Sequence, residues 1–280
     1  VYIASALFLG LTWFELVWKK PGNPFHIGVL FLLLFLVVNG FKLFLNKTSI
    51  EIDPLLLLHH LYSKLKIVNS RPFFKTLLQN ISNLSKLKGI EYFILLMIGT
   101  VTYDGLRGTV FWYNQFGTKV YDLFFSTIMF FSINLLLIGF YRFACYFAIK
   151  VSNSNHSLND ISLMFAHTML PIAFAYHVTH YLSLLLFESQ TFFYRLNDPI
   201  GTGADLFGIN DVTIVYFLSP VALWTIQVIV TLIGHMLSVV LAHDLSVKLF
   251  GHGQSDKTQY IFLFITVALT LQALFVLSVP

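Results

Sequence analysis

Cysteine is nearly absent from this chain, charge is scarce, and most familiar catalytic signatures are missing. Cys145 is the only cysteine among 280 residues, which excludes an intrachain disulfide framework, cysteine-rich zinc sites and iron–sulfur clusters. A metal would therefore have to rely on histidine, carboxylate and other oxygen ligands. Charged residues make up only 11% of the sequence against a hydrophobic share of 57%, and the mean hydropathy is +0.77. Soluble domains usually carry roughly 25% charged residues, so this composition is that of a membrane protein. Neither Gly-x-Ser-x-Gly nor His-Glu-x-x-His occurs, nor do the His-x-x-x-His and His-x-x-His-His pairs of membrane di-iron enzymes. The last apolar run has no lysine, which excludes a retinal Schiff base there. The net charge of +4 and pI near 9.0 point to topology and lipid headgroups rather than nucleic acid.

What is present is apolar length. A spanning helix needs about 20 apolar residues, and seven stretches are candidates: Tyr2–Trp18, Ile27–Leu45, Ile90–Tyr103, Val120–Ala148, Ile161–Phe187, Val212–Leu249 and Tyr260–Val279. The expected fold is an all-α polytopic bundle of about seven spans, residues 1–280 forming one transmembrane domain. Phenylalanine, at 30 copies, suits lipid-facing surface. Pro171 should kink the fifth span, and Pro220 should break or kink the sixth near its start. The chain begins at Val1 within an apolar run, so a processed or truncated start is expected.

Lys42, Lys47, Lys64, Lys66, Arg71, Lys75, Lys86, Lys88, Arg142, Lys150, Lys248 and Lys257 collect on one side of a seven-span arrangement. The positive-inside rule makes that side cytoplasmic and puts the C-terminus outside. Residues 50–89 then form a cytoplasmic segment, with Pro54–Leu61 and Phe73–Leu87 expected as interfacial amphipathic helices. Residues 188–211, rich in glycine and aspartate, fall outside; their Asn197–Gly208 run reads as tight turns or as a cover over a site. Glu15 and Lys42 are expected to snorkel from span ends, and Tyr and Trp near those ends to form an aromatic belt.

Five histidines lie inside two of the apolar stretches: His167, His177 and His180 in the fifth, His235 and His243 in the sixth. An imidazole in hydrocarbon needs a partner, because an unpaired buried polar group costs several kcal/mol. His177 and His180 sit one turn apart and can face one neighbour. Antiparallel packing puts His235 at the depth of His167, both about 10 Å to the cytoplasmic side of the midplane. His243 and Asp244 follow at the boundary. Gly234 removes a side chain where a helix or cofactor could approach. His167, His235, His243 and Asp244 are thus the candidate metal set, suited to zinc, iron or copper, with haem b as the alternative. Interhelical hydrogen bonding is the competing role for the same histidines. Near the outer end, Asp104 and Arg107 are three apart and can pair within one turn; alternatively Asp104 accepts from His180, and this pair carries the catalytic reading.

The C-terminal half resembles a group of bacterial multi-pass membrane proteins labelled fenitrothion hydrolase. The resemblance rests on Leu170–Tyr176, His180-Tyr-Leu-Ser-Leu-Leu, the Asp198-Pro-Ile-Gly-Thr-Gly-Ala-Asp-Leu-Phe-Gly208 run, Gly234-His235, Ala242-His243-Asp244 and Asp104-Gly-Leu. It implies a protein of the prokaryotic plasma (inner) membrane that hydrolyses an organophosphate ester, with a metal-activated water as the natural chemistry. It carries His167, His180, His235, His243 and Asp104 as site residues, and places His177 where relatives are apolar. Three other classes stay open: a haem or copper redox protein, a transporter with a histidine proton relay, and a subunit of a larger membrane complex or homo-oligomer.

Overall fold

The computed structural model describes residues 1–45, 48–65, 87–199, 202–209 and 213–278, of which 252–256 are described by backbone alone. Lys47, Lys66, Arg71, Lys75 and Lys86, nearly all of the Phe73–Leu87 piece, Gly201 and Asp211 lie outside the described residues. Among those described, every regular element is helical: α1 (Tyr2–Val17), α2 (Pro24–Phe44), α3 (Ser49–Ile52), α4 (Pro54–Lys64), α5 (Ile90–Arg107), α6 (Val110–Phe116), α7 (Leu123–Ser152), α8 (Leu158–Ala166), α9 (Leu170–Leu186), α10 (Phe192–Asn197), α11 (Pro220–Phe250) and α12 (His252–Ser278). Five stretches are long and apolar enough to cross a membrane: Pro24–Phe44, Leu123–Ser152, Leu158–Leu186, Pro220–Phe250 and Lys257–Ser278. This is the architecture of a multi-pass α-helical membrane protein. The first and third expected spans form shorter helices of 16 and 18 residues.

Two elements are wrapped by protein rather than left facing outward. In α5 twelve residues are buried, from Ile90 through Tyr103. In the fifth span, Leu158–Leu186, 72% of the apolar window is buried, against 6% in α2. Ionisable residues in a membrane fold belong on such enclosed helices, because there they can find partners. Asp104 and the histidines of the fifth span accordingly sit on these two.

Proline sets the shape of the fifth span. Pro171 has no N–H to give to the carbonyl of residue 167, and its ring crowds that carbonyl. The chain therefore tightens into a 3₁₀ turn over His167–Met169, and Leu170 N–H bonds the His167 carbonyl instead. The expected kink falls on His167 itself. Pro220 breaks the expected sixth stretch rather than kinking it. It occupies the first turn of α11, where a missing N–H costs nothing, behind a Ser219 cap that accepts from Ala222 N. The sixth span thus starts cleanly at Pro220, eight residues after the expected Val212.

The helices are tied by aromatic donors reaching neighbouring carbonyls. Tyr141 Oη donates to Ser162 O (2.8 Å), joining α7 to α8; Tyr176 Oη donates to Leu269 O (2.6 Å), joining α9 to α12; Trp224 Nε1 donates to Leu277 O (2.9 Å), joining α11 to α12. Glycines supply close approach. A Cβ on Gly234 would stand 2.5 Å from Ala175 Cβ and 2.8 Å from Pro171 O, so α11 and α9 meet backbone to backbone there. Helix α1 runs alongside and parallel to α5: Tyr2 lies against Gly89 at one end, and the Arg107 guanidinium donates to Leu16 O at the other.

Helix α4 does more than border the bundle. Leu57 and Leu61 are fully buried in the main core, and the Tyr62 ring meets Phe174 (5.0 Å between centroids) and His177 (6.1 Å) halfway along α9. It is therefore inserted on the flank of α1 and α9 rather than laid against the bundle's end.

Candidate acid–base site

The local pairing of Asp104 with Arg107 is not the one formed. Asp104 Oδ2 takes a hydrogen bond from His180 Nε2 at 2.6 Å, joining α5 to α9 across 76 positions of sequence. Arg107 turns to the Leu16 carbonyl instead. The two side chains of the pair are 26% and 27% exposed, so the pair is held within the bundle yet reachable.

Asp104 also faces a cavity of about 380 Å³ bounded by α1, α2, α4, α5 and α9. Its walls are largely apolar, from Phe8, Phe14, Ile27, Phe31, Leu58 and other side chains, with Glu15, Thr12, Thr100, His177 and Tyr181 as the remaining polar groups. A concave, mainly apolar space with a few converging polar groups is the usual form of a small-molecule site.

Each of those polar groups has a defined state. Tyr181 Oη donates to Glu15 Oε1 at 3.1 Å, so Glu15, an exposed side chain near the end of α1, has a partner at the cavity. His177 Nδ1 lies 2.8 Å from the Ala173 carbonyl one turn earlier. A carbonyl can only accept, so Nδ1 carries the proton and Nε2 is left with a lone pair. In the neutral ring that Nε2 is the basic nitrogen, on a residue lining the cavity. The rings of His180 and Tyr181 are 4.9 Å apart and nearly perpendicular, bringing the Asp104–His180 pair beside the Glu15–Tyr181 pair.

The remaining sequence candidates are distributed differently. The His235 Nδ1 contacts Thr266 O (3.2 Å) and Thr270 Oγ1 (2.7 Å) on α12, again fixing the proton on Nδ1; Nε2 is buried with no partner. His167 is buried with Nδ1 unpartnered. The two do not share a depth. Gln227 Nε2 donates to Thr179 O (2.8 Å) and Gly234 abuts Pro171, so His235 stands opposite Pro171 rather than His167. The offset is four residues of helix, about 6 Å. His243 is exposed beside Gln259 and Tyr260, and Asp244 is half-buried one residue on. Among the described residues no three His, Cys, Asp or Glu side chains group closely enough to hold a metal ion. His167, His235, His243 and Asp244 are thus not gathered into one centre.

The structure places two residues outside the candidate site set, His177 and Glu15, on the cavity that Asp104 faces. The available signals were the four-residue spacing of His177 and Tyr181, which puts both on one face, and an acid within an apolar run. Between α10 and α11, Asp198 accepts from Thr202 N (2.9 Å) and Gly203 N (2.6 Å), and Asn197 Nδ2 donates to Asp205 Oδ1 (2.7 Å) and Ile209 O (3.1 Å). No family model, no curated protein and no solved structure matches the chain.

Proposed function

We propose that this protein is an integral membrane hydrolase that takes an apolar ester from the bilayer into the cavity between α1, α4 and α9. The observation that carries the reading is the convergence of His177, the Glu15–Tyr181 pair and Asp104 on one apolar space of about 380 Å³. His177 Nε2 is the acid–base atom: it removes a proton from water as the oxygen attacks the phosphoryl or acyl centre, and returns it to the departing alcohol. Asp104, fixed by His180, and Glu15, fixed by Tyr181, set the charge around the developing imidazolium. The resemblance of the C-terminal half to the fenitrothion hydrolase group supports an ester as the substrate class. In this reading the chain crosses the prokaryotic plasma membrane seven times, α1 and α5 serving as the first and third crossings, with the C-terminus outside.

The test is turnover of chromogenic phosphotriesters and carboxylic esters by the full chain in nanodiscs. Turnover is expected for the wild type, with a fall of about 10²–10⁴-fold in His177→Ala. No turnover on any member of the panel, or turnover indifferent to His177→Ala and Asp104→Asn, would sink the proposal.

One observation favours a second reading, a haem or a zinc, iron or copper ion bound near His235. Its Nδ1–H is oriented by a backbone carbonyl and a hydroxyl, leaving Nε2 free, as a ligating histidine is usually arranged. Stoichiometric metal or a haem spectrum in protein purified without chelators, lost in His235→Ala, is the result that would establish it.

A further inference from the structure

Buried polar groups normally find partners, and each one left without costs about 1–3 kcal/mol. Among the described residues eleven buried side-chain atoms have none, and six of them lie together on α8, the His167 turn and α11: Ser162 Oγ, His167 Nδ1, Thr231 Oγ1, His235 Nε2, Ser238 Oγ and Ser246 Oγ. Every one of those six residues is at most 6% exposed. The four on α11 recur at intervals of four, three and eight, with buried Ala242 between the last two, so they form a single stripe down the enclosed face of that helix. From Thr231 to Ser246 the stripe rises over 15 residue steps, about 22 Å of a hydrocarbon core about 30 Å thick.

The spacing from Thr231 through His235 to Ser238 suits single waters, while the two turns from Ser238 to Ser246, about 12 Å, call for a chain of them. Neighbouring groups one turn apart on a helix are separated by about 5–6 Å. Two hydrogen bonds of about 2.8 Å through a single water span the same distance. At the upper end the stripe joins the acid–base pair: Thr231, Tyr176, Thr179, Gln272, Thr102 and His180 line one small cavity of about 40 Å³, and a cavity of about 10–15 Å³ already admits a water. Beyond His180 stands Asp104, which borders an open cleft with Arg107 and Tyr121. At the lower end Ser246 lies two residues from exposed Lys248, the last basic residue of α11.

We propose that this stripe is a water-filled proton path through the bundle, running from the Asp104 cleft through His180, Thr231, His235 and Ser238 to the Ser246 end of α11, with His167 and Ser162 on its opposite wall. His235 is its relay. It takes a proton from the water on the Thr231 side at its free Nε2 and returns it from the same nitrogen to the water on the Ser238 side, while Nδ1–H stays donated to Thr266 O and Thr270 Oγ1. The inference stands on the α11 stripe and is independent of ester hydrolysis, since it requires neither His177 nor the large cavity.

The test is proton flux in liposomes holding the purified full chain and an internal pH-sensitive dye, driven by a potassium diffusion potential. Wild type is expected to carry flux at least tenfold above empty liposomes. His235→Leu and the double variant Thr231→Val/Ser238→Ala are each expected to reduce it at least tenfold. Ser5→Ala, which removes an equally buried unpartnered hydroxyl away from the stripe, is expected to leave it unchanged. Should His235→Leu fail to fold, the Thr231/Ser238 variant carries the test alone. Wild-type flux no greater than that of empty liposomes overturns the path, as does flux that survives the stripe variants. Esterase turnover measured in nanodiscs, where no gradient exists, reports separately on the hydrolase reading.

Discussion

Gly234→Ala adds one methyl group at the tightest contact between α9 and α11. The new Cβ would stand 2.5 Å from Ala175 Cβ and 2.8 Å from the Pro171 carbonyl oxygen, where non-bonded carbons ordinarily sit about 3.5–4.0 Å apart. Because both obstacles are fixed by backbone, no rotamer change relieves them, and the helices must separate by about 1 Å. Overpacking of this kind costs about 1–3 kcal/mol. The gain in helix propensity, about 1 kcal/mol for Gly→Ala, offsets part of that. Gly139→Ala in α7 is the matched control, since nothing lies within 4 Å of its added Cβ. It should keep the propensity gain of about 1 kcal/mol and be stabilising. The propensity gain is common to both, so the two variants should differ by the overpacking cost alone, about 1–3 kcal/mol, or about 2–5 °C in Tm at the sensitivity of a chain this long. Cys145 supplies the assay: it is the only cysteine and is fully buried in the core, so a thiol-reactive fluorophore reports unfolding directly. A Tm for Gly234→Ala equal to or above that of Gly139→Ala would refute the packing argument.

Three further outcomes follow from other contacts. Tyr141→Phe removes the donor to the Ser162 carbonyl in a fully buried setting and should lower stability by about 0.5–1.5 kcal/mol in the same thiol assay. Tyr181→Phe releases Glu15 inside the cavity; ester turnover in nanodiscs should fall, yet by less than in His177→Ala, because the basic nitrogen is untouched. Asp198→Ala withdraws the acceptor from Thr202 and Gly203 N–H, so limited proteolysis should cut the 198–209 loop faster than in wild type while Tm stays the same.

Apolar length made the helices legible, and the kink at Pro171 followed from proline chemistry alone. Pro220 left break and kink both open, because a proline at the first turn and one in a helix interior look alike in a continuous apolar run; only the Ser219 cap separates them. The site was partly legible. Asp104 could be matched with Arg107 or His180, and sequence spacing favours the local pairing; the choice depends on which way Arg107 turns, a matter of α1 reaching α5. His167 and His235 seemed level because antiparallel helices were aligned by their ends, whereas the Gly234–Pro171 contact sets the register. Helical rotation and register are fixed by such contacts, and periodicity carries no record of them.

Helix α2 is the least enclosed of the long helices, with only 6% of its apolar window buried, yet Ile27, Leu30 and Phe31 close one side of the large cavity. In the hydrolase reading, a chamber walled by a helix so exposed on its other sides is filled sideways, from the hydrocarbon. Its occupants are graded first by partition into the bilayer and only then by fit. Each added methylene enriches a solute in that phase by about 0.8 kcal/mol, roughly fourfold. Within a homologous series, the aqueous concentration needed for half-occupancy should therefore drop about fourfold per carbon until chain length outgrows the chamber.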